Sequence, residues 1–375
     1  MTMDSIGIGL IGTGFMGKCH ALAFNAVKAT MGDVPRPRLT VLCDVDAAHT
    51  AQKASDFGFA RHTTDWRAVI ADPEVDLVSI TTPNAQHREM AIAALEAGKH
   101  VYCEKPMALT LADAEAMAAA ARKARGRTRL GYNYTVNPAI QHARRLVHEG
   151  AIGRLLHVRG QVDEDYMADP DLPWSWRCRA ADAGLGTLGD ITCHLVSLLH
   201  GLVGRITSLS ADIAVAYPQR PMKDEPGKFG TVENEDIAQA LVRFENGVTG
   251  VLSSSRAAHG RKSLIRIELH GSHGMITFDQ ERMNELELYV AEGDAATRGF
   301  RTILTGPAHP PYGQFCPAPG HQLGFNELKV IEAAEFLRAI AAHTPIAFDF
   351  EEGLAVERVI HGFVRSAEER RWVDL

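Results

Sequence analysis

The chain has no apolar run long enough to cross a membrane and no block of Lys and Arg long enough to follow a nucleic acid backbone. Its six cysteines form no Cys-x-x-Cys pair and no closely spaced framework, so a disulfide-stapled secreted protein is not indicated. Asp4 stands where a secretory leader would carry basic residues. We therefore expect a cytoplasmic protein whose partners include neither nucleic acid nor a membrane.

Apolar residues are plentiful: they make up 46% of the 375 residues, enough for two hydrophobic cores, and a chain of this length usually forms two domains. The first third alternates β-rich and helical stretches, which is typical of an α/β fold with a doubly wound parallel sheet. Strands are predicted at 6–11, 38–43, 75–81 and 100–103, and helices at 16–29, 47–57, 86–97 and 111–125. Because Gly126 and Gly131 end this alternation, we assign residues 1–130 to the first domain.

Residues 131–375 follow a different pattern, with alternating β-branched runs that are typical of an α+β domain with a large, mostly antiparallel open sheet. Asn246 and Gly247 predict a tight hairpin turn. Strands are predicted at 155–162, 206–216, 237–244, 248–255, 264–270, 275–278 and 286–290. Helices at 138–149, 191–202, 327–342 and 352–369 are expected to cover one face of the sheet, leaving the other for a homodimer or homotetramer contact. The Pro- and Gly-rich segment 305–324 is expected to be a lid or an arm.

Gly12, Gly14 and Gly17 form a G-x-G-x-x-G motif between an apolar strand and a predicted helix, which is the context of a dinucleotide-binding site. The glycines let the backbone approach a pyrophosphate, whose charge the helix N-terminus stabilises. Phe15 and Met16, inside the motif, are expected to pack around the cofactor. A simple turn is the alternative interpretation.

Asp44 ends the second predicted strand, where an acidic side chain can bind the adenosine ribose hydroxyls. A carboxylate there would repel the extra phosphate of NADP by about 1 to 4 kcal/mol, and no Arg is adjacent to offset it. The sequence therefore predicts NAD as the cofactor. The alternative for Asp44 is a helix N-cap.

Two polar segments follow the third and fourth predicted strands. Open α/β sheets bind ligands at the carboxyl ends of their strands, so both segments are expected to contact the cofactor. Lys105, which precedes a proline, is expected to project into the cleft, and a surface turn is its alternative. The cofactor contacts predicted from these segments are Thr82, Asn84, His87, Glu104 and Lys105.

Asp190 and His194 open a predicted helix after a glycine-rich turn, and their spacing of four puts them on one helix face. The pKa of histidine normally lies near neutrality, so His194 is suited to act as a general base, and a neighbouring carboxylate can stabilise its imidazolium. The ordinary alternative is a helix-capping Asp beside a core histidine.

Five segments carry a resemblance to a known family: GTGFMGKCHA, TPNAQH, AGKHVYCEKPMALT, GYNY and GDITCH. Together they span nearly the whole chain and resemble the Gfo/Idh/MocA family, which includes glucose-fructose oxidoreductase and inositol dehydrogenase. Within that family, the segments SWRC, AAHGR, GFRTILTGPAHP and the ending WVDL are similar to levoglucosan dehydrogenase and related glycoside 3-dehydrogenases.

The resemblance implies an NAD-dependent dehydrogenase that oxidises a ring secondary hydroxyl of a sugar, anhydrosugar or inositol. It implies that three residues form the catalytic set and also bind substrate: Lys105, Asp190 and His194. Lys105 is expected to donate a hydrogen bond to the reacting hydroxyl. The other substrate or nicotinamide contacts expected from matching segments are Asn133, Tyr134, Asp165, Trp176 and Arg177. A core aromatic and an ion pair are the alternatives for the last two.

Two positions depart from the family pattern. Relatives often have Asp three residues after the histidine, where this chain has Ser197, which implies a different preferred sugar. Relatives often have Arg where this chain has Thr135, which disfavours anionic substrates.

Three rival functions remain open. A zinc enzyme would use a cluster that includes His200, but no spaced ligand pairs occur and no metal site is predicted. Some relatives resemble glycosidases or lyases that oxidise transiently with bound NAD, and the third rival is an NAD-binding sensor without turnover. The zinc cluster would comprise Cys178, Cys193, His194 and His200.

Overall fold

The computed structural model describes residues 3–375, which fall into two compact units. The first unit contains the residues up to Asn133 and Gly324–Leu354, and the second contains Tyr134–Leu323 and Ala355–Leu375. A segment that the sequence analysis assigned to the second domain thus belongs to the first unit. No helix within residues 3–375 has both the length and the apolar character that a membrane span requires.

The first unit has the predicted alternation of strands and helices. Its strands are β1 (Ser5–Ile11), β2 (Arg36–Cys43), β3 (Arg61–Thr63), β4 (Leu77–Ile80), β5 (His100–Cys103) and β6 (Thr128–Leu130). Its first five helices are α1 (Phe15–Met31), α2 (Ala47–Phe57), α3 (Trp66–Ala71), α4 (His87–Glu96) and α5 (Leu111–Lys123). The sequence analysis missed β3, α3 and β6, because elements of three to six residues are too short to show a period.

The six strands form one parallel sheet in the order β3-β2-β1-β4-β5-β6, which confirms the doubly wound fold. Ile6, Ile8 and Leu10 of β1 are fully buried, as expected for a central strand with both faces covered. The strand order reverses between β1 and β4, so the carboxyl ends of these two strands mark where a ligand is expected.

The second unit begins with α6 (Pro138–His148), β7 (Leu155–Asp163), α7 (Ala180–Ala183), a π-helical turn (Leu188–Thr192) and α8 (Cys193–Leu202). Its further strands are β8 (Ile206–Ala214), β9 (Gln219–Pro221), β10 (Phe229–Thr231), β11 (Ile237–Phe244), β12 (Thr249–Ser255), β13 (Leu264–Gly271), β14 (Gly274–Asp279), β15 (Glu285–Val290) and β16 (Arg301–Leu304). The chain ends with α9 (Phe325–Ala342), α10 (Phe350–Glu369) and β17 (Val373–Asp374).

Nine of these strands form one sheet in the order β16-β15-β14-β13-β7-β12-β11-β8-β17. Only β7 and β12 pair in parallel, so the predicted mostly antiparallel sheet is confirmed. The hairpin at Asn246 and Gly247 is also confirmed, since Gly247 has a φ of 82° and β11 pairs antiparallel with β12. β9 and β10, which were not predicted, form a separate two-stranded sheet.

Some of the helices that were predicted to cover the large sheet do so, and one does not. α6 packs on β14 and β15, and α8 packs on β7. The prediction that the helix at 327–342 covers this sheet is wrong: α9 belongs to the first unit and packs against α1. The reason lies in two buried polar side chains of α9, Lys329 and Glu332, whose ionic partners are in the first unit.

The Pro- and Gly-rich segment 305–324 is a loop held at both ends by one residue, Asn284. The Asn284 Oδ1 atom accepts from the Leu323 amide at 2.9 Å, and the Thr305 amide donates to the Asn284 carbonyl at 2.8 Å. Tyr312 is fully buried within the loop. The segment therefore has a small core of its own.

Candidate active site

The glycine-rich turn of the first unit has the shape that a dinucleotide needs. Gly12 has a φ of 102°, and a Cβ there would lie 2.7 Å from the Thr81 carbonyl oxygen. A Cβ on Gly17 would lie 2.2 Å from the Gly12 oxygen, whereas one on Gly14 would meet nothing within 4 Å. The first and third glycines thus let the turn close on β4, and the second leaves space for a pyrophosphate beside the N-terminus of α1.

Asp44 lies at the carboxyl end of β2, beside this turn. Its Oδ2 atom accepts from the Thr13 amide at 2.8 Å and from the Thr13 hydroxyl, and its Oδ1 atom accepts from the Val45 amide at 2.7 Å. Burial alone would raise the pKa of Asp44, but these hydrogen bonds outweigh it and lower the pKa. The N-cap alternative is wrong, since the side chain that caps α2 is Asp46.

A cavity of about 850 Å³ adjoins both features in the first unit. Thr13, Gly14, Phe15 and Asp44 are among the residues that line it. Cofactor pockets of this kind typically have volumes of about 300–1,000 Å³. The turn, the carboxylate and the cavity lie together and leave room for a dinucleotide.

The two side chains inside the motif are placed differently. Phe15 is 70% exposed and its ring stacks on that of Phe325, with centroids 5.7 Å apart, whereas Met16 is half-buried. The stack joins the start of α1 to the start of α9 within the first unit. An exposed aromatic beside a cofactor turn is available for the packing role that the sequence predicted for Phe15.

The loops after β4 and β5 are held together by His87. Its Nδ1 atom lies 3.0 Å from the Pro106 carbonyl oxygen and its Nε2 atom lies 2.9 Å from that of Thr82. Both loops follow neighbouring strands, so His87 fixes their separation. Asn84 is half-buried and opens a short 3₁₀ turn after β4.

Lys105 follows β5 and is half-buried, between the buried residues Glu104 and Pro106. The Lys105–Pro106 peptide bond is cis. A surface turn would leave these neighbours exposed, so that alternative is wrong.

Glu104 is directed away from solvent into a buried ionic network. Its Oε1 atom lies 2.8 Å from the His20 Nε2 atom and forms an ion pair with Lys329. Burial alone would raise the pKa of Glu104, but Lys329 and His20 hold it well below its usual range. Glu104, which the sequence predicted as a cofactor contact, thus anchors the strand end that precedes Lys105.

Asp190 and His194 lie at the junction of two helical forms in the second unit. Asp190 is in the π-helical turn and His194 is in the first turn of α8, so the predicted continuous helix starts differently. Such π turns are frequent at functional sites. The Asp190 Oδ2 atom accepts a 2.7 Å hydrogen bond from the Tyr166 hydroxyl.

His194 is 7% exposed, and its ring contacts the ring of Tyr134, which lies in the short 3₁₀ turn before α6. The centroids of the His194 and Tyr134 rings are 4.7 Å apart, with an interplanar angle of 50°. The sequence analysis thus named two residues, Tyr134 and His194, that the structure brings together. Asn133 and Thr135, on either side of Tyr134, are 1% and 4% exposed.

Ser197, which stands where relatives often have Asp, is fully buried on α8. Its hydroxyl donates to the His194 carbonyl oxygen at 2.8 Å. A hydroxyl bonded within the helix carries no charge, so this position contributes none near His194.

Three other predicted contacts have surface positions. The Asp165 Oδ2 atom pairs with the Lys262 Nζ atom at 2.6 Å and accepts from the Gly260 amide at 3.2 Å. Trp176 is 40% exposed, so the core alternative for it is wrong. The Arg177 guanidinium lies over the Trp176 ring, 4.6 Å from its centroid.

The alternative function of a zinc enzyme requires a cluster of metal-ligating side chains. Among residues 3–375, no group of three or more His, Cys, Asp or Glu side chains could hold a metal ion. The six cysteines, all of which lie within residues 3–375, form no disulfide with one another.

The sequence analysis missed several residues that shape the site. Thr13 is an unspecified position in the glycine motif, yet it holds Asp44 with both its amide and its hydroxyl. Tyr166 follows Asp165, and only the turn after β7 decides which of the two meets Asp190. Lys329 lies 225 residues from Glu104, so no local pattern could have revealed their contact.

Comparison with known proteins identifies both units. Residues 6–132 match the description "Oxidoreductase family, NAD-binding Rossmann fold", and residues 140–277 match "GFO/IDH/MocA C-terminal domain". The chain is 39% identical to the levoglucosan dehydrogenase of Pseudarthrobacter phenanthrenivorans, over 100% of this chain and 99% of that protein. It is 28% identical to the myo-inositol 2-dehydrogenase of Thermotoga maritima, over 98% of each protein.

Solved structures agree with these matches. A structure of levoglucosan dehydrogenase in complex with NADH and L-sorbose has a TM-score of 0.96 to this chain, at 40% identity and 99% coverage of each chain. A complex of levoglucosan dehydrogenase with NADH and levoglucosan has a TM-score of 0.95, also at 40% identity. The glycine turn and the match over residues 6–132 together make the first unit an NAD-binding Rossmann domain. The chain is a member of the Gfo/Idh/MocA family of NAD-binding oxidoreductases.

Proposed function

We propose that the chain is an NAD-dependent dehydrogenase that oxidises a ring secondary hydroxyl of a sugar or anhydrosugar, as a levoglucosan dehydrogenase or glycoside 3-dehydrogenase does. The observation that carries this proposal is the full-length likeness to levoglucosan dehydrogenase, at 39% identity. The position of Asp190 in the π turn directly before α8, which carries His194 in its first turn, also supports it. The imidazole of His194 is suited to proton removal, because the pKa of histidine normally lies near neutrality.

The catalytic set in this proposal is Lys105, Asp190 and His194. When bound, NAD accepts the hydride from the carbon that carries the hydroxyl. An imidazole nitrogen of His194 takes the hydroxyl proton, and the Asp190 carboxylate stabilises the resulting imidazolium. The Lys105 Nζ atom donates a hydrogen bond to the reacting oxygen and balances the negative charge that develops on it.

The cofactor-binding residues in this proposal act in two ways. Gly12 and Gly14 hold the pyrophosphate, Phe15 and Met16 pack around the cofactor, and Asp44 holds the ribose. Thr82 and Asn84 contact the cofactor from the loop after β4, while His87 and Glu104 fix the two loops from behind. Trp176 and Arg177 are further cofactor contacts, and the substrate contacts beyond the catalytic set are Asn133, Tyr134 and Asp165.

The experiment that tests this function is a panel of cyclic polyols and anhydrosugars incubated with NAD, followed by the absorbance of NADH. Levoglucosan comes first, because the relative at 39% identity carries its name. Net NADH with any sugar substrate supports a dehydrogenase, and NADH with myo-inositol alone supports the second candidate, an inositol dehydrogenase, which the 28% relative favours. Glycosidic cleavage without net NADH would instead support a glycosidase or lyase that oxidises its substrate transiently. Binding of NAD without any turnover would support an NAD-binding sensor.

The same proposal includes a homodimer or homotetramer, formed through the open face of the large sheet in the cytoplasm. Leu241 and Val251 support the oligomer: they are cross-strand neighbours on β11 and β12 and are 53% and 42% exposed. Exposed apolar pairs on a sheet face favour contact with a protein partner. Analytical ultracentrifugation of the wild type and of Leu241→Lys tests this part, since the charge should weaken the oligomer.

A further inference from the structure

Tyr166 is a residue to which the sequence analysis gave no role. It lies three residues beyond the end of β7, and its hydroxyl donates to the Asp190 Oδ2 atom at 2.7 Å. Its ring packs against the buried cluster of Met167, Cys178 and Val232. The phenol is therefore held in place by apolar contacts, and its single polar group is directed at the carboxylate.

The surroundings of Tyr166 keep its phenol protonated. Burial raises the pKa of Tyr166 well above its usual value, and the negative charge of Asp190 raises it further. Arg256 lowers the pKa and Glu164 raises it, as the other charged groups that act on this phenol. The charge of Arg256 is balanced by Asp236, whose Oδ1 atom lies 2.7 Å from the Arg256 Nε atom. The hydroxyl is thus a permanent donor.

Other titratable groups near this pair come from the surrounding elements. Glu235, just before β11, accepts from the Leu188 amide at the start of the π turn. Burial raises the pKa of Glu235. On α8 the facing group is His194, whose ring contacts Tyr134. The Tyr166 hydroxyl donates directly to the Asp190 carboxylate.

We propose that Tyr166 is a positioning residue for Asp190, which fixes the direction of its carboxylate and sets how strongly that carboxylate stabilises a protonated His194. This inference rests on the proposed function, in which His194 takes the hydroxyl proton. A hydrogen bond to a carboxylate draws negative charge towards the donor and favours the ionised form. Tyr166 therefore keeps Asp190 ionised and oriented, while it limits the attraction between Asp190 and the imidazolium.

The variant Tyr166→Phe removes the hydroxyl and keeps the ring that packs in the cluster. Without the donor, more of the charge on Asp190 acts on His194, so His194 holds its proton to higher pH. The acidic limb of the pH profile of kcat/KM should move to higher pH, and kcat should fall about tenfold because the carboxylate loses its orientation. The KM for NAD should stay unchanged, because Tyr166 is not among the proposed cofactor contacts. The matched control, Tyr289→Phe on β15, removes a hydroxyl of the same unit and should leave the profile unchanged.

A second readout does not need turnover. Nuclear magnetic resonance of ring-labelled histidine follows the titration of His194 in the NAD-bound protein, with its signal assigned by loss in His194→Gln. The titration midpoint should move to higher pH in Tyr166→Phe and stay in place in Tyr289→Phe. Should the Phe variant fail to fold, Tyr166→Gln keeps a donor and should show a midpoint close to that of the wild type.

The two readouts separate failure of this inference from failure of the proposed function. If the wild type forms no NADH with any polyol but the midpoint moves in Tyr166→Phe, the proposed function fails and the positioning role stands. If the midpoint does not move, the positioning role is overturned, whatever the turnover.

Discussion

The Lys329 Nζ atom lies 2.9 Å from Glu332 and forms an ion pair with Glu104, and all three side chains are buried in the first unit. Glu104 directly precedes Lys105, so α9 fixes the strand end that carries the proposed catalytic lysine. His20 of α1 contacts the same carboxylate oxygen as Lys329, with 2.8 Å between its Nε2 atom and the Glu104 Oε1 atom. The network thus joins two helices to the end of β5.

Replacing the cation of this network should destabilise the protein. Lys329→Met leaves two buried carboxylates without their ammonium partner, and breaking a buried ion pair in this way typically costs about 3–5 kcal/mol. The control is Lys53→Met, which removes a surface pair with Asp56 that is worth about 0–1 kcal/mol. Urea unfolding followed by circular dichroism measures both. Equal losses of unfolding free energy in the two variants would contradict a stabilising role for the network.

The glycines of the cofactor turn should respond differently to a methyl group. Gly14→Ala should leave the melting temperature unchanged and weaken NADH binding at least tenfold, because the added Cβ meets no protein atom but occupies the space proposed for the pyrophosphate. Gly17→Ala should lower both the melting temperature and the affinity for NADH, since its Cβ would lie 2.2 Å from the Gly12 carbonyl oxygen. Calorimetry and NADH fluorescence titration give the two values. Undiminished NADH binding by Gly14→Ala would argue against the pyrophosphate position.

Asp44 should determine the choice between NAD and NADP. In Asp44→Ala the repulsion of about 1 to 4 kcal/mol on the extra phosphate disappears, so the ratio of kcat/KM for NAD to that for NADP should fall about fivefold or more. Asp65→Asn is the control, because asparagine also caps a helix, position 65 caps α3, and the residues that line the cavity do not include Asp65. An unchanged ratio in Asp44→Ala would remove Asp44 from cofactor selection.

His200 should make the protein less stable in acid. Burial lowers the pKa of His200 to about 3, and Arg205 adds to this shift, whereas the pKa of an unfolded histidine lies near 6.5. The unfolded chain therefore binds the proton first, and the contribution of His200 is complete above pH ~6.5 and is lost as the pH falls from there towards about 3. At pH ~5 the loss is about 2 kcal/mol.

The variant His200→Gln tests this dependence, since glutamine keeps an acceptor for the Ile206 amide but does not titrate in this range. The loss of unfolding free energy between neutral and mildly acidic pH should be smaller in the variant than in the wild type. The exposed His148→Gln is the control and should keep the wild-type slope. A wild-type slope in His200→Gln would contradict the account.

Local sequence patterns correctly predicted many of the helices and strands. The predicted helix at 47–57 and the strands at 100–103 and 237–244 have the observed bounds. These elements carry strong periodic or apolar signals, and turn residues bound them. Asp44 was predicted correctly at a strand end, because a strand-turn-helix unit determines that position.

The remaining features depend on contacts between distant parts of the chain. The helix that contains Lys329 was predicted to cover the large sheet of the second unit, but it belongs to the first unit. The sequence shows that Lys329 is charged, but it does not show which distant residues the side chain contacts. The sequence analysis named Asp165 and gave Tyr166 no role, whereas the chain direction after β7 brings Asp165 to Lys262 and Tyr166 to Asp190. The π turn before α8 was also missed, because its sequence has no pattern that distinguishes it from an ordinary helix start.

The most direct test of the account is the formation of NADH by the wild type and by His194→Gln, each saturated with NAD and with the best sugar of the panel. The account predicts that the wild type forms NADH, that the rate rises with pH as His194 loses its proton, and that His194→Gln binds NADH normally but turns over at least about a hundredfold more slowly. Lys105→Met should show the same separation of binding from turnover. Turnover by His194→Gln at the wild-type rate, with the wild-type pH profile, would contradict the account.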